Sequence, residues 1–288
     1  MTRRQSIQRH AEDGTWTLFQ RPPPAALLPY VRSLQGYVEQ SGPAYVRKEL
    51  PSGIVPFIVV FGGGFALHDL ATLRFERALD RSFVAGMHQV PALIGYTGRA
   101  LCMQVDLTPL GAWRLLGLDM HEIAGRVIDV DAILGSDSRE LEEKLACAPD
   151  WSARFDLLER VLCRRILRAR SEDRRVSAAW SAILRSDGAI RIGDIAAELG
   201  CSRKHLIALF KREIGLPPKA AARVVRFERA MVQLQAKAFR SLTELASACG
   251  YADHAHFSRD FRAFAGESPS ALLPSLEPHD GSAETARE

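Results

Sequence analysis

The stretch Ile192-Gly-Asp-Ile-Ala-Ala-Glu-Leu-Gly-Cys-Ser-Arg-Lys-His-Leu-Ile-Ala-Leu-Phe210 occurs a second time, in residue type, about fifty positions later in the chain. Both copies carry apolar residues at helical spacing, then a glycine, then a second helical run and a Gly-x-x-Pro ending. The matching positions are Ile192, Ile195, Ala196, Gly200, Leu206, Phe210, Gly215 and Pro218 in the first copy, and Leu242, Leu245, Ala246, Gly250, Phe257, Phe261, Gly266 and Pro269 in the second. The offset grows by one after the glycine, so the second turn is one residue longer. The segment is therefore an internal duplication.

Each copy predicts two helices joined by a tight turn. Gly200 and Gly250 supply the left-handed residue that ends the first helix. Ser202 and Asp253 are suitable N-caps for the second helix. A helix, a glycine turn and a capped helix form the helix-turn-helix pattern, in which the second helix enters the major groove of DNA. A plain helical hairpin has the same local pattern, but its occurrence twice favours a DNA-binding role.

The segment between the copies predicts one longer helix. Pro217-Pro218 is followed by residues 219–236, in which apolar residues keep a helical period. Eighteen residues at about 1.5 Å each give a helix of about 27 Å. Successive major-groove sites on one face of a duplex repeat every roughly 34 Å. A rigid helix of this length is suited to holding two recognition helices in neighbouring grooves.

These residues resemble the arabinose-regulator (AraC/XylS) family of transcription factors over residues 174–272. The most specific stretches are 192–215 and 245–269, and Arg226-Phe-Glu-Arg-Ala-Met-Val-Gln-Leu234 looks like the family's linking helix. The resemblance implies a sequence-specific transcription regulator, more often an activator, that binds double-stranded DNA and works with RNA polymerase. It implies no cofactor, no catalytic residue and no metal.

The family pattern also implies which residues meet DNA, on recognition helices at about 202–211 and 253–264. Arginine and lysine pair with guanine, and serine can serve several bases, whereas cations near helix ends are better placed for phosphates. The implied base-facing residues are Arg203, Lys204, Ile207, Ala208, His254, Ala255, His256, Ser258 and Arg259, and the implied phosphate contacts are Lys211, Arg212 and Arg262.

This sequence departs from the family pattern at several of these positions. Ala208 stands where relatives often carry a long polar side chain, and Ile207 offers no hydrogen bond, so the first helix is expected to read thymine methyl groups or DNA shape. His254 and His256 are unusual, and two residues apart on a helix they do not share a face for a metal ion. The arginine that usually follows the final Pro-Ser is missing, which puts one closing contact in doubt.

The first 170 residues predict a separate β-rich domain that becomes helical after Gly111, so the fold class is α+β with an all-α C-terminal domain. Apolar runs at 54–61, 82–84 and 101–107 predict strands, with Gly62-Gly63-Gly64 as a turn between them. The apolar face of 155–168 is expected to be core rather than a dimer contact. The segment resembles the cupin-like sensory domains of some family members, which implies a pocket for a small-molecule effector and a possible homodimer. We expect domains at 1–170 and 171–272 and a flexible tail at 273–288.

Composition limits the function further. Between residues 186 and 270 there are 13 lysines and arginines against 9 acidic residues, a basic balance that suits nucleic acid. Five dispersed cysteines without a CxxC pair indicate reduced thiols in a cytoplasm. The longest apolar stretch, 53–66, is shorter than the roughly 18–20 residues of a membrane span, and no secretory signal is expected.

Three other functions remain open from the sequence. A metal-dependent cupin enzyme with an accessory DNA-binding domain would need a cluster of histidines and a carboxylate, and His68, Asp69 and His88 are the nearest candidates. A DNA-repair protein of the alkyl-transfer kind would need clustered thiolates, whereas Cys102, Cys147 and Cys163 are far apart in sequence. A non-specific architectural DNA binder would share the helix-turn-helix units. The regulator without enzymatic activity is the interpretation that the residues favour.

Overall fold

The computed structural model describes residues 7–10, 16–40, 44–237 and 239–273, and the predicted tail beyond 273 lies outside them. The chain divides into two compact units. Unit 1 holds the residues up to Glu172 except Leu50–Gly53 and Met87–Pro91, and unit 2 holds those two short segments together with Asp173 and the residues after it.

Unit 1 is built on one nine-stranded antiparallel sheet. Its strands are β1 (Ile7–His10), β2 (Trp16–Arg21), β3 (Val31–Gln40), β4 (Tyr45–Glu49), β5 (Val55–His68), β6 (Phe75–Leu79), β7 (Phe83–Ala85), β8 (Ala92–Leu107) and β9 (Val127–Asp129). The order across the sheet is β1-β2-β3-β8-β5-β7-β9, with β4 added beside β8 and β6 beside β5. Residues alternate between the two faces of a strand, so one sheet supplies two distinct surfaces.

The glycines at 62–64 do not form the turn that the sequence predicts. They lie inside β5, which continues to His68 and pairs with β8 along most of its length. The register between the two strands shifts from Val60 to Gly62 and from Gly63 to Phe65. Glycine is common at such bulges because it tolerates the local bend. Gly63 has a φ of 66° and its Cα lies too close to the Arg99 carbonyl for a side chain.

Unit 1 also contains four α-helices among its described residues: α1 (Pro109–Leu116), α2 (Asp131–Leu134), α3 (Ser136–Ala146) and α4 (Trp151–Arg168). The start of α4 lies on one face of the sheet, where Trp151 covers Gly36 of β3. The inward side chains of α4 repeat at helical spacing and are fully buried: Phe155, Leu158, Leu162 and Ile166. These four residues are therefore core, as the sequence predicts, whereas Leu167 of the same predicted face is exposed.

Unit 2 contains seven helices among its described residues. They are α5 (Arg174–Arg185), α6 (Ile192–Glu198), α7 (Arg203–Glu213), α8 (Pro218–Gln235), α9 (Leu242–Ala248), α10 (His254–Ala265) and α11 (Pro269–Leu272). The duplicated segments form the pairs α6–α7 and α9–α10, and the predicted linking helix is α8. The two turn glycines have φ of 61° and 72°. The Ser202 and Asp253 side chains accept hydrogen bonds from backbone amides three residues on, so both act as the predicted N-caps.

The core of unit 2 is aromatic where α8 meets α10. The Phe227 ring of α8 lies 5.0 Å from Phe261 and 5.1 Å from Phe264, and Phe257 lies 4.6 Å from Phe261. All four rings are fully buried.

Within the described ranges, no helix is long and apolar enough to cross a membrane.

One close approach in unit 1 is testable. Gly36 of β3 lies under Trp151, whose ring also stacks on Phe19 at 4.5 Å, and a Cβ at Gly36 would overlap that ring. We expect Gly36→Ala to lower the free energy of unfolding by about 1–3 kcal/mol, because an inserted methyl must displace packed side chains. Urea denaturation measures the change. Adding Trp151→Leu should restore part of the loss, and an unchanged midpoint in the single variant would contradict the packing described here.

Candidate nucleic-acid interface

The first recognition helix, α7, presents one solvent-exposed face. Leu206, Leu209 and Phe210 are buried. A helix turns about 100° per residue, so the positions between them point to solvent. Ile207 is 38% exposed. The exposed side chains of this face are Arg203, Lys204, Ile207, Ala208 and Lys211.

The Arg203 side chain at the start of α7 packs beside Gly193 of α6. Its guanidinium lies so close to Gly193 that a Cβ there would overlap it. Glycine at 193 therefore leaves room for the guanidinium of Arg203 beside the preceding helix. Sequence reasoning placed Arg203 on the exposed face but gave no role to Gly193.

Arg212 at the end of α7 is partly exposed and ion-paired. Its guanidinium pairs with Glu213, whose side chain is 1% exposed. Glu213 also accepts a 2.9 Å hydrogen bond from the Asp173 amide at the start of α5. The Asp173 side chain in turn pairs with Arg175, which lowers the pKa of Asp173 to about 2. Arg212 thus contributes to an ion-paired junction between α5 and α7.

The second recognition helix, α10, exposes His254, Ala255, Arg259 and Arg262. His256 is half-buried, with its ring edge-on to Tyr251 at 5.3 Å. Ser258 is buried, because it follows Phe257 on the side of α10 that packs into the unit. The base contact expected of Ser258 stays a prediction, and this burial does not favour it.

A buried carboxylate lies beneath this helix, and the sequence analysis missed it. Asp260 is 3% exposed. One of its oxygens accepts two hydrogen bonds from Arg223 of α8, at 3.1 Å from Nε and 2.7 Å from Nη2. The other oxygen lies 3.9 Å from Nε2 of His256. The available signal was an acidic residue between two inward-facing phenylalanines, a place where a charge needs a partner.

A second arginine of α8 secures the turn before α10. Arg226 donates a 2.6 Å hydrogen bond to the Gly188 carbonyl, and its guanidinium lies 5.3 Å from the centre of the Tyr251 ring. Burial raises the pKa of Tyr251. The arginines at 223 and 226 therefore hold together helices that carry the exposed face, and they are not part of it.

No group of three or more histidine, cysteine or acidic side chains in the described part of the chain is placed to hold a metal ion. His68 forms a 3.2 Å hydrogen bond with the Leu73 carbonyl, and His88 bonds to the Val90 carbonyl.

The Asp260–Arg223 pair gives a stability prediction. Asp260→Asn keeps the shape but removes the charge, leaving Arg223 beside an apolar ring, and should lower the free energy of unfolding by about 1–3 kcal/mol. Thermal or urea unfolding measures it. Asp187→Asn is the matched control, because Asp187 and Arg229 form an exposed pair at 3.6 Å that is worth about 0–1 kcal/mol. Equal losses in the two variants would contradict a special role for Asp260.

Two family models match the chain. Residues 195–274 match a model described as "Helix-turn-helix domain", and residues 20–129 match "Domain of unknown function (DUF6597)". Neither covers half of the chain.

Known proteins are similar mainly over the C-terminal segment. The Msm operon regulatory protein of Streptococcus mutans is 32% identical over 88 residues, which are 31% of each chain. The chain thus spans about a third of the length of the curated relatives it matches. A solved structure of a probable AraC family transcriptional regulator from Rhodopseudomonas palustris is 30% identical over 37% of this chain and all of that one, with a TM-score of 0.33. A structure of ToxT from Vibrio cholerae is 16% identical over 86% of this chain and all of that one, with a TM-score of 0.44. The chain therefore carries an AraC-type helix-turn-helix domain in its C-terminal part, together with a segment, residues 20–129, that belongs to a domain family of unknown function.

Proposed function

We propose that this protein is a sequence-specific, DNA-binding transcription regulator. The observation that carries the proposal is the pair of capped recognition helices, α7 and α10, whose exposed faces bear arginine, lysine and histidine while their inner faces share one core. The names of the relatives, an operon regulatory protein and a transcriptional regulator, support it.

The length of α8 supports binding to two grooves of one duplex. The helix has 18 residues, which corresponds to about 27 Å, and major-groove sites on one face of DNA recur every roughly 34 Å. Because α8 packs against both α7 and α10, the two recognition helices would approach DNA as one body. The arrangement best supports a domain that binds two neighbouring half-sites of one DNA duplex as a rigid body.

The exposed residues divide by expected role. Arg203, Lys204 and Arg259 are the side chains with hydrogen-bond donors for base edges, and Arg or Lys reads guanine best. Ile207 and Ala208 offer apolar contact to thymine methyl groups, and His254 and Ala255 begin the second helix. Lys211 and Arg262 lie later in their helices and suit phosphates. Arg212 enters this set only if its pairing with Glu213 leaves donors for a phosphate.

Unit 1 is proposed as the regulatory part. Its β-sheet would sense a small-molecule effector, mediate homodimerisation, or do both, and the whole protein would act on RNA polymerase as an activator in the cytoplasm, where its DNA lies. A regulator of this kind needs no catalysis of its own.

The base-contact assignment predicts sequence-dependent losses. Arg203→Ala or Arg259→Ala should cost about 1–3 kcal/mol on the cognate site if the side chain pairs with guanine. Gel-shift titrations on cognate and random duplexes measure the two affinities. Arg139→Ala, an exposed arginine of α3 in unit 1, is the control and should change neither. An equal loss of affinity on random DNA would show that the residue contacts a phosphate and not a base. No loss of affinity on either duplex would show that the residue is not in the interface.

The phosphate-contact assignment predicts a different signature. Affinity should fall steeply with salt, since each neutralised phosphate releases counterions. Arg262→Ala should weaken binding to all sequences alike and reduce the slope of log K against log salt by about 1. Titrations at several salt concentrations measure the slope. A weak salt dependence of the unmodified protein would contradict the phosphate contacts assigned to Lys211 and Arg262.

A further inference from the structure

The face of the unit 1 sheet that lies away from α4 is lined by apolar and tyrosine side chains. We call it the inner face. Its buried residues form one cluster, which comprises Ile58, Val60, Phe65, Leu79, Phe83, Ala100 and Cys102. Five larger side chains pack on this cluster yet stay partly exposed: Tyr37, Leu67, Ile94, Tyr96 and Val127. A cluster with accessible aromatic and aliphatic walls is the composition typical of small-molecule sites.

A buried glutamate with an unsatisfied oxygen belongs to this inner face. Glu39 lies two residues after Tyr37 on β3 and so shares its side of the sheet. Its side chain accepts a hydrogen bond from the Tyr37 hydroxyl. Glu39 is 4% exposed, and its Oε2 has no hydrogen-bond partner among the described residues. Burial raises the pKa of Glu39.

A second buried carboxylate on the same face shows how such a group is normally satisfied. Asp106 of β8 pairs in register with Ser33 and accepts a hydrogen bond from its hydroxyl. It also accepts bonds from Nε2 of Gln104 at 2.7 Å and of Gln35 at 3.4 Å. Asp106 thus has three donors from neighbouring side chains, whereas Glu39 accepts a hydrogen bond from Tyr37 and its Oε2 has no partner among the described residues. A buried carboxylate left short of partners is costly, so its retention needs another reason.

Aromatic rings surround this carboxylate. Tyr45 of β4 shares a hydrogen bond with Tyr37 and stacks on Tyr96, with ring centres 4.6 Å apart and planes 3° from parallel. Tyr96 in turn meets Phe65 edge to face at 5.3 Å. Tyr45 is 43% exposed and lies on a five-residue strand that is paired only with β8 among the described strands. Tyr45 is therefore the solvent-facing edge of the ring group beside the carboxylate.

Three charged side chains interact with the rings: Glu39, Arg47 and Glu49. Arg47 interacts with all three tyrosines, but its Nε lies 3.2 Å from a carboxylate oxygen of Glu49, so this cation is already paired. Glu39 is the carboxylate of the group whose Oε2 has no hydrogen-bond partner among the described residues. An anionic ligand would be repelled there, and a neutral ligand would leave the carboxylate without a counter-charge. A monocation would supply the missing partner, and tyrosine faces attract organic cations further.

We propose that the inner face of unit 1 binds an organic monocation of the amine or quaternary ammonium class, with its charged group against Glu39 and the rings of Tyr37, Tyr45 and Tyr96. The inference rests on the proposed function, since this cation would be the effector of the regulator. The apolar cluster beneath would hold the hydrocarbon part of the ligand.

The binding test uses the full chain and four probes. Tetramethylammonium, choline and benzyltrimethylammonium carry the charge, and 3,3-dimethyl-1-butanol is the uncharged isostere of choline. We expect isothermal titration calorimetry to show at least one cation binding at least tenfold more tightly than the alcohol. Glu39→Gln should weaken that cation at least tenfold, whereas Glu76→Gln, an exposed carboxylate on β6, should leave it unchanged. Equal affinity for the alcohol, no binding of any cation, or an unaffected Glu39→Gln variant would overturn the proposal.

A stability measurement separates a ligand-binding glutamate from a structural one. Because its pKa is raised in the folded state, Glu39 favours folding below the ordinary glutamate range, and that contribution is lost as pH rises through the raised value. Glu39→Gln should therefore flatten the fall in melting temperature above about pH 4.5 and leave the ligand-free protein at least as stable at pH 7. A lower melting temperature at every pH would make Glu39 a structural residue and defeat the proposal.

DNA binding of the same samples keeps the two proposals apart. Sequence-specific binding in the absence of any probe tests the regulator function alone. If the cation binds and the protein has no preferred DNA sequence, the cation-site proposal is supported and the regulator proposal is contradicted. If DNA binding is specific and a bound cation changes the DNA affinity of the unmodified protein but not of Glu39→Gln, both proposals are supported.

Discussion

The packing of α8 against its neighbours is the constraint on which the DNA-binding unit depends. One stripe of this helix is fully buried: Ala221, Val224, Phe227, Ala230 and Leu234. The helix contacts α5 and α7 on the first side of the duplication and α9 and α10 on the second. Protein interiors are close-packed and deform little, so the position of α7 relative to α10 is set by side chains that never face solvent. The spacing of the two recognition helices is thus a property of the core.

Ion pairs reinforce the position that the packed phenylalanine rings give to α10. Arg223 reaches Asp260 across 37 residues of sequence, and its guanidinium lies 4.9 Å from the Phe264 ring centre. A buried ion pair seldom adds much net stability, since desolvation offsets most of the attraction. Its effect is geometric instead, because a misplaced α10 would leave a charge buried without a partner. Glu213 has the same effect at the junction of α5 and α7.

The sequence was sufficient for the DNA-binding unit but not for its buried charges, and the reason is the range of the interactions involved. Helix period, turn glycines and N-caps act within a few residues, so the two helix pairs and the linking helix could be predicted to within two residues of their ends. Asp260 and Glu213 depend on partners far along the chain, which no local pattern reveals. The burial of Ser258 likewise follows from how α10 is rotated against α8. In unit 1, the glycines at 62–64 have the composition of a turn, and only the long pairing of β5 with β8 keeps them within a strand.

Strand β3 shows why the two faces of the unit 1 sheet have different purposes. Leu34 and Gly36 lie on the side that faces α4. Leu34 is fully buried there, and Gly36 has no side chain and so leaves room for the Trp151 ring. Tyr37 and Glu39 point to the other side, where the same strand contributes a phenol and a carboxylate. Apolar residues at these inner positions would stabilise the fold more than a carboxylate that lacks partners. Functional sites are where proteins keep such locally unfavourable groups, and this is the physical reason for proposing the inner face as a ligand site.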